Sequence, residues 1–359
     1  MTADAVGGVW QYATDLAAAL CAAGHTVTLA LFGPSPTEDQ RARAQRIAGV
    51  RLVETGLPLD WLSAGPAPVE KAAQAMAAIA CDAGADILHC NMPTLAGATS
   101  FSMPVVAVTH GCIATWWQAA RAEPLLASYR WHRRMMARGL AAADVVVAPS
   151  ASYAQTVRRT YRLPATPLVV HNGRTALPTA PSAKPPLNAA LTVGRLWDPV
   201  KNAALLDRVA ARLPVPFLAA GAERGPHGEA TRLERLELLG QLDSAPLGAL
   251  LARRPVFVSA ASFEPFGLAV LEAAQAGCPL VLSDIPTFRE LWEGAALFVP
   301  PGDEEGFAAA IGRLSQDDAQ RAQLGERAAR RAARYTPAAM GRAMADIYEG
   351  LLTRREEAA

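Results

Sequence analysis

Residues 255–283 read PVFVSAASFEPFGLAVLEAAQAGCPLVLS, and three patterns follow one another within them. Residues 255–259 form a short, nearly uninterrupted apolar run, 267–276 are rich in Ala and Leu, and 279–283 are again apolar and strand-sized. A run without polar alternation is how a strand buried on both faces reads, and two such strands joined through a helix pair in parallel. The stretch therefore predicts a strand–helix–strand unit in a parallel sheet covered by helices.

The same rhythm extends in both directions. Upstream, residues 26–32, 86–90, 104–109, 144–148 and 168–171 read as strands, and 8–23, 69–82, 123–141 and 150–159 as helices, with Ser150 as an N-cap. Nearer and beyond the opening stretch, 189–193, 216–220 and 296–299 read as strands, and 202–212, 304–315, 318–334 and 337–355 as helices, with Pro337 in a first turn. Pro178, Pro181, Pro185 and Pro186 break the rhythm and mark a linker. At about 150 residues per domain, a chain of 359 holds two. The expected fold is α/β, with two doubly wound Rossmann-like domains facing across a cleft at the carboxyl ends of the strands. Its parts are a first domain at 1–177, a linker at 178–187, a second domain at 188–335 and a final helix at 336–359. Gly7-Gly8 reads as a glycine loop opening a helix, yet only residues 1–6 precede it. The first strand is therefore expected to be missing or short, or the natural start to lie upstream.

Composition excludes several classes. Hydrophobic residues make up 51% and charged ones 19%, which rules out disorder as the dominant state. Lys plus Arg is 34 against 33 for Asp plus Glu, with none of the basic excess of a nucleic-acid binder. Apolar runs are too short to span a membrane, the start has no signal-peptide pattern, and the five cysteines form no C-x-x-C pair. A cytoplasmic protein is expected, at most peripheral at a membrane. D-x-D, H-E-x-x-H, G-x-G-x-x-G, G-x-S-x-G and a Walker lysine are all absent, so no metal and no resident cofactor is expected.

Within residues 262–273 the amides of Phe266, Gly267 and Leu268 open a helix, a ready anion site, and Gly267 permits close approach of a phosphate. Glu272 follows one turn deeper, where a carboxylate suits a sugar diol, and Glu264 precedes the helix. The plainer reading is a helix start with one acidic cap and one surface Glu. Residues 193–202 carry Arg195 and Lys201 between a strand and a helix. Together they could clamp a diphosphate, or be two solvated cations on a loop. His110 ends an apolar strand beside Gly111 and is either a site residue or a structural one; His89 and Asn91 end the neighbouring strand as weaker candidates. Asn172-Gly173 reads as a hinge or turn. Residues 130–138, RWHRRMMAR, read as an amphipathic helix with its Trp and Met in the core, or as a lipid-contacting face.

Taken together, Gly7-Gly8-Val9, Thr109-His110-Gly111, Gly194-Arg195 with Lys201-Asn202, and Glu264 through Glu272 resemble the retaining GT-B glycosyltransferases of family 4. The last segment matches that family's E-x7-E pattern and is followed by Ala273, Gly277 and Pro279. The resemblance implies transfer of a sugar from a nucleotide diphosphate sugar to an acceptor hydroxyl with retained configuration. The acceptor would be a carbohydrate, a lipid-linked molecule or a small molecule, in polysaccharide, glycolipid or small-glycoside synthesis. By that resemblance Arg195 and Lys201 hold the diphosphate as leaving group, Glu264 and His110 contact the donor sugar, and Glu272 the ribose. Phe266, Gly267 and Leu268 hold the phosphates or sugar, Gly7 and Gly8 form the loop near the phosphates, and the backbone of Gln241 contacts the base. His171-Asn172-Gly173-Arg174 departs from the family's usual Pro-Asn-Gly-Val/Ile-Asp. The alternatives are a non-catalytic nucleotide-sugar-binding protein of the same shape and a nucleotide-sugar epimerase.

Overall fold

The computed structural model describes residues 1–178, 185–226 and 228–357. The chain divides into two compact units, Met1–Arg174 with Thr336–Ala359, and Thr175–Tyr335. In order, the first carries β1 (Thr2–Asp4), α1 (Gly8–Ala22), β2 (Val27–Phe32), α2 (Glu38–Gln45), β3 (Val50–Glu54), α3 (Pro66–Asp82), β4 (Leu88–Cys90), β5 (Val105–Val108), α4 (Ile113–Ala120), α5 (Arg130–Ala142), β6 (Val145–Ala148), α6 (Ala151–Tyr161) and β7 (Leu168–Val169). The second carries β8 (Ala190–Val193), α7 (Ala203–Ala210), β9 (Phe217–Ala220), β10 (Glu237–Leu238), α8 (Ser244–Leu251), β11 (Val256–Ser259), α9 (Leu268–Gln275), β12 (Leu280–Ser283), α10 (Pro286–Trp292), β13 (Leu297–Val299), α11 (Glu304–Gln316) and α12 (Asp318–Ala332). The last helix, α13 (Pro337–Glu357), belongs to the first unit.

The strands of both units pair in parallel. The opening stretch forms β11, α9 and β12, with Phe257 opposite Leu280 and Ser259 opposite Leu282. The second sheet runs β10-β9-β8-β11-β12-β13. Its two faces are filled by separate apolar clusters, one around Phe257, Leu271, Phe288 and Trp292, the other around Leu206, Phe217, Phe307 and Ile311.

The first unit holds two ladders, β1-β2-β3 and β4-β5-β6-β7. The first strand exists, as three residues paired from Thr2–Ala30 to Asp4–Phe32. Asn91, one residue past β4, joins the ladders: its backbone N–H donates to Thr2 Oγ1 and its side-chain Nδ2 to the Thr2 carbonyl, each at 2.7 Å. Met340, Met344, Tyr348 and Leu351 of α13 share a core with Trp10, Leu16 and Leu20 of α1.

Two sequence expectations change. The helix expected at 123–141 is shorter, because Pro124 disfavours helical geometry at Glu123; α5 starts at Arg130 after a 3-10 turn at Ala127–Tyr129, and α4 forms separately. Most of the expected linker, residues 179–184, lies outside the described residues. On its flanks Leu177 is buried in the second unit's core and the Leu187 N–H donates to Arg253 O at 2.7 Å.

Candidate active site

In the second unit β8 and β11 are neighbours, and the chain order runs outward from them in both directions. Such a switch point leaves a crevice beyond the carboxyl ends of the two strands. Gly194 and Arg195 leave β8 there, and residues 262–267 leave β11.

Asp198 organises the first loop. It is buried, and its carboxylate accepts Arg195 Nη2 at 2.7 Å and the Val200 N–H at 3.2 Å. One side chain therefore caps the 3-10 turn Pro199–Lys201 and pins the guanidinium, which lies 5.7 Å from the centre of the Trp197 ring. The Val200 carbonyl accepts the Ser262 N–H at 2.9 Å, tying this turn to the loop after β11. Across that tie Lys201 Nζ pairs with Glu264 Oε2, both partly buried. Arg195, Lys201 and Glu264, remote in sequence, are thus held beside one crevice.

Gly267 caps α9 at φ +96°, where a side chain is disfavoured, and an added Cβ would crowd Phe288 and Glu264 at 3.2 and 3.3 Å. The Phe266 ring is buried edge-on against Tyr335 at 5.6 Å, so this residue can offer a ligand only its backbone. A buried Phe stabilises by roughly 1.5–3 kcal/mol, which anchors the loop that aims the first amides of α9 outward. Glu272 is half-buried in the second turn of α9.

Beyond the ends of β9 and β10, Gly221, Ala222, Glu223, Arg224, Gly240 and Gln241 line a recess of about 390 Å³. Backbone hydrogen bonds brace it: the Gly221 N–H donates to Gly240 O and the Leu196 N–H to Ala222 O, both at 2.8 Å. Asp207 accepts the N–H groups of Glu234, Arg235 and Leu236 at 2.8–3.0 Å, fixing the segment that enters β10.

In the first unit Gly7 caps α1, and Gly8 begins it. His110 lies two residues past β5, its Nε2 2.8 Å from Asn91 Oδ1. His89 Nε2 lies 3.0 Å from the same oxygen, and His89 Nδ1 is 2.6 Å from the Tyr348 hydroxyl. The two weaker sequence candidates, His89 and Asn91, are therefore joined to His110 in one network. Burial pushes His110 down to about 3; burial and then the Met1 ammonium push His89 to a similar value. Both imidazoles are neutral at pH 7.

That sets an acid limit on stability. An unfolded His titrates near 6.5, so between about pH 3 and 6.5 the unfolded chain binds more protons than the folded one, and stability falls as pH drops through that window. Urea unfolding at pH 7.5 and 5.0 is expected to give a lower midpoint at pH 5.0, and His110→Asn to shrink the difference. A midpoint independent of pH would contradict neutral burial.

Asn172 is buried, and the Gly173 N–H donates to Met340 Sδ at 3.2 Å, fastening the end of the first segment to α13. On α5, Trp131, Met135 and Met136 are in the core, leaving Arg130, Arg133, Arg134 and Arg138 exposed. No helix among the described residues is long and apolar enough to cross a membrane. Two contributors escaped sequence reading. Asp198 could have been found as an Asp immediately before Pro-Val-Lys, an N-cap signature; Tyr348 has no local signal, standing 259 residues from His89.

Residues 6–174 match the family model described as Glycosyltransferase Family 4, and residues 188–317 that described as Glycosyl transferases group 1. Glycogen synthase of Mycobacterium tuberculosis is 27% identical over 90% of this chain and 86% of its own length. The phosphatidyl-myo-inositol mannosyltransferase of Mycolicibacterium smegmatis is 33% identical over 44% of each chain. Among solved structures, sucrose-phosphate synthase from Thermosynechococcus elongatus superposes with a TM-score of 0.77 at 22% identity, over 97% of this chain and 94% of that one. HepE of Anabaena, solved in complex with UDP-glucose, gives 0.72 at 18% identity, over 98% and 100%.

Proposed function

From a chain that adopts the GT-B fold, matches glycosyltransferase family models over residues 6–174 and 188–317 and is a glycosyltransferase using a nucleotide sugar, we propose a specific reaction. A sugar is transferred from a nucleotide diphosphate to an acceptor hydroxyl, with anomeric configuration retained and without a metal ion. The observation that carries this is the grouping of Arg195 with the Lys201–Glu264 pair at the β8–β11 switch point, where α9 begins.

The chemistry follows from charge. Breaking the glycosidic bond leaves negative charge on the terminal phosphate of the departing nucleotide. Two cations and the amides of Gly267 and Leu268 stabilise that charge in place of a metal. Arg195 is held by Asp198 in a fixed orientation, so little reorganisation accompanies bond cleavage. Glu264 orients the sugar, with Lys201 close enough to serve both it and the phosphate. Glu272 accepts hydrogen bonds from the ribose diol, and the recess at Gly221, Gly240 and Gln241 receives the base. The departing phosphate takes the acceptor's proton as the new bond forms on the same face of the sugar.

An α-linked donor incubated with the protein and EDTA is expected to give an α-linked product, read from its anomeric proton coupling. A β-linked product, or activity only after a divalent cation is restored, would refute the mechanism. Glu272→Ala is expected to weaken donor binding roughly tenfold to a hundredfold, since a hydrogen bond to a charged group contributes about 1.5–3 kcal/mol. Its effect should appear in KM more than in kcat, because the ribose contact exists before and during transfer.

A further inference from the structure

A recess of about 800 Å³ opens in the first unit at the amino ends of β5 and β6, where Pro104 and Asp144 precede the two strands. His110 stands past the carboxyl end of β5, so the length of Val105–Val108, roughly 13 Å at about 3.3 Å per residue, lies between them. The recess is therefore on the opposite edge of the sheet from the histidine network.

Three arginines line it, Arg138 from α5 and Arg354 and Arg355 from α13. Leu351 is buried in the core, and residues three and four further along a helix share its face, which turns Arg354 and Arg355 to one side. Arg355 Nη2 donates to Ser102 O at 2.8 Å, fastening α13 to the segment between β4 and β5. Two glycines hold α5 to the same segment. A Cβ added at Gly97 would stand 2.5 Å from Met135 O and 3.0 Å from Arg138 Cβ, and one at Gly139 would stand 1.8 Å from Pro93 O. This close backbone approach sets Arg138 against the loop.

The lining suits an anion. Against the three arginines stands one carboxylate, Asp144, which leaves an excess of two positive charges. Asp144 already accepts the Val105 N–H at 2.7 Å. Among the described residues Arg138 and Arg354 pair with no carboxylate, and the hydroxyls of Thr99 and Ser100 meet no partner. The backbone N–H groups of residues 99–103 likewise meet no acceptor among the described residues. A phosphate monoester carries about −1.5 to −2 charges at pH 7, which matches the excess, and its oxygens fit guanidinium forks. The volume lies within the range of small-molecule pockets, about 300–1,000 Å³, and far exceeds a bare phosphate.

We propose that this recess binds a soluble phosphorylated polyol such as a sugar phosphate. Arg138, Arg354 and the remaining N–H groups of Arg355 hold the phosphate, and Thr99 and Ser100 meet the polyol hydroxyls. The inference is independent of the reaction proposed above, because every group it uses lies in the first unit and none is assigned to transfer.

The test titrates glucose 6-phosphate, inorganic phosphate and glucose into the full chain by calorimetry. Wild type is compared with Arg138→Gln combined with Arg354→Gln. Glucose 6-phosphate is expected to bind more tightly than inorganic phosphate, and glucose to give no heat. Both positions are exposed, so the double variant should keep the wild-type melting temperature. Its affinity for glucose 6-phosphate should fall about tenfold or more, the effect of losing hydrogen bonds to a charged group. Arg195 and Lys201 are present in both proteins, so the difference between them belongs to the recess. Should the double variant melt early, Arg354→Glu alone reverses one exposed charge and is expected to give the same loss. No binding of glucose 6-phosphate, equal affinity for inorganic phosphate, or equal affinity of the two proteins would overturn the proposal.

A phosphorylated lipid headgroup offers similar oxygens, and vesicles distinguish it. The double variant is expected to co-sediment with phosphatidylinositol vesicles no less than wild type does. Vesicle binding that the double substitution abolishes and glucose 6-phosphate fails to displace would put a lipid in the recess and overturn the soluble ligand.

Discussion

Lys201→Ala is expected to lower kcat by roughly a hundredfold to a thousandfold, the effect of deleting one preorganised group that meets transition-state charge. Lys201 sits against Glu264, and both are partly buried. Removing the cation therefore does two things: a developing phosphate charge loses a partner, and an unpaired carboxylate is left beside it. Donor binding should weaken for the second reason and catalysis for the first. The double substitution Lys201→Ala with Glu264→Gln separates them. It should recover part of the donor affinity while kcat stays low. If the single variant keeps kcat within threefold of wild type, Lys201 does not meet the leaving group.

Gly221→Ala should be the most damaging small substitution near the recess. The residue adopts φ +141°, and an added Cβ would stand 1.7 Å from the Gly194 carbonyl oxygen, which is main chain and cannot rotate away. Overpacking and an unfavourable backbone region each cost about 1–3 kcal/mol, so a combined loss of about 2–6 kcal/mol is expected. The loop carrying Arg195 would have to shift, because Gly194 is its first residue. Urea unfolding should show the loss, and affinity for nucleoside diphosphate should fall with it. Gly65→Ala is the control, since open space surrounds that glycine and its φ of −174° is ordinary extended backbone. Equal stability of the two variants would mean the β8–β9 approach is looser than the structure has it.

The fold was legible wherever burial is two-sided. The apolar runs that became β5, β11 and β12 have no polar alternation, and the helix after β11 is bounded by a glycine at each end. Ser150 was readable as a cap because its side chain alone can meet an amide there, and it does, at 3.2 Å from Tyr153 N. Surface elements were harder. α2 is almost entirely polar, so periodicity gave no signal, although Thr37 and Gln40 form a capping box at its start. The helix expected at 123–141 is too long because its composition carries no mark of the local restriction that Pro124 imposes.

The candidate site was legible in proportion to how local it is. The segment from Glu264 to Glu272 could be read because loop, glycine and helix are contiguous. Its neighbour Arg195 could be named, but its buried anchor Asp198 became visible only once the 3-10 turn was formed. The first unit was the least readable. His110, Asn91 and Thr2 come from three strand ends, and Tyr348 from the far end of the chain; only the parallel pairing of β4 with β5, the bonds from Asn91 to Thr2 and the return of α13 bring them within hydrogen-bonding distance.

The most direct measurement is a calorimetric titration of UDP-, GDP-, ADP- and dTDP-sugars into the protein in EDTA, repeated with Lys201→Ala and Glu272→Ala. Saturable binding of one nucleotide family without added metal, weakened by both substitutions, is the predicted result. Binding that requires a divalent cation, or that is indifferent to both substitutions, would contradict the assignment of the β8–β11 switch point as the donor site.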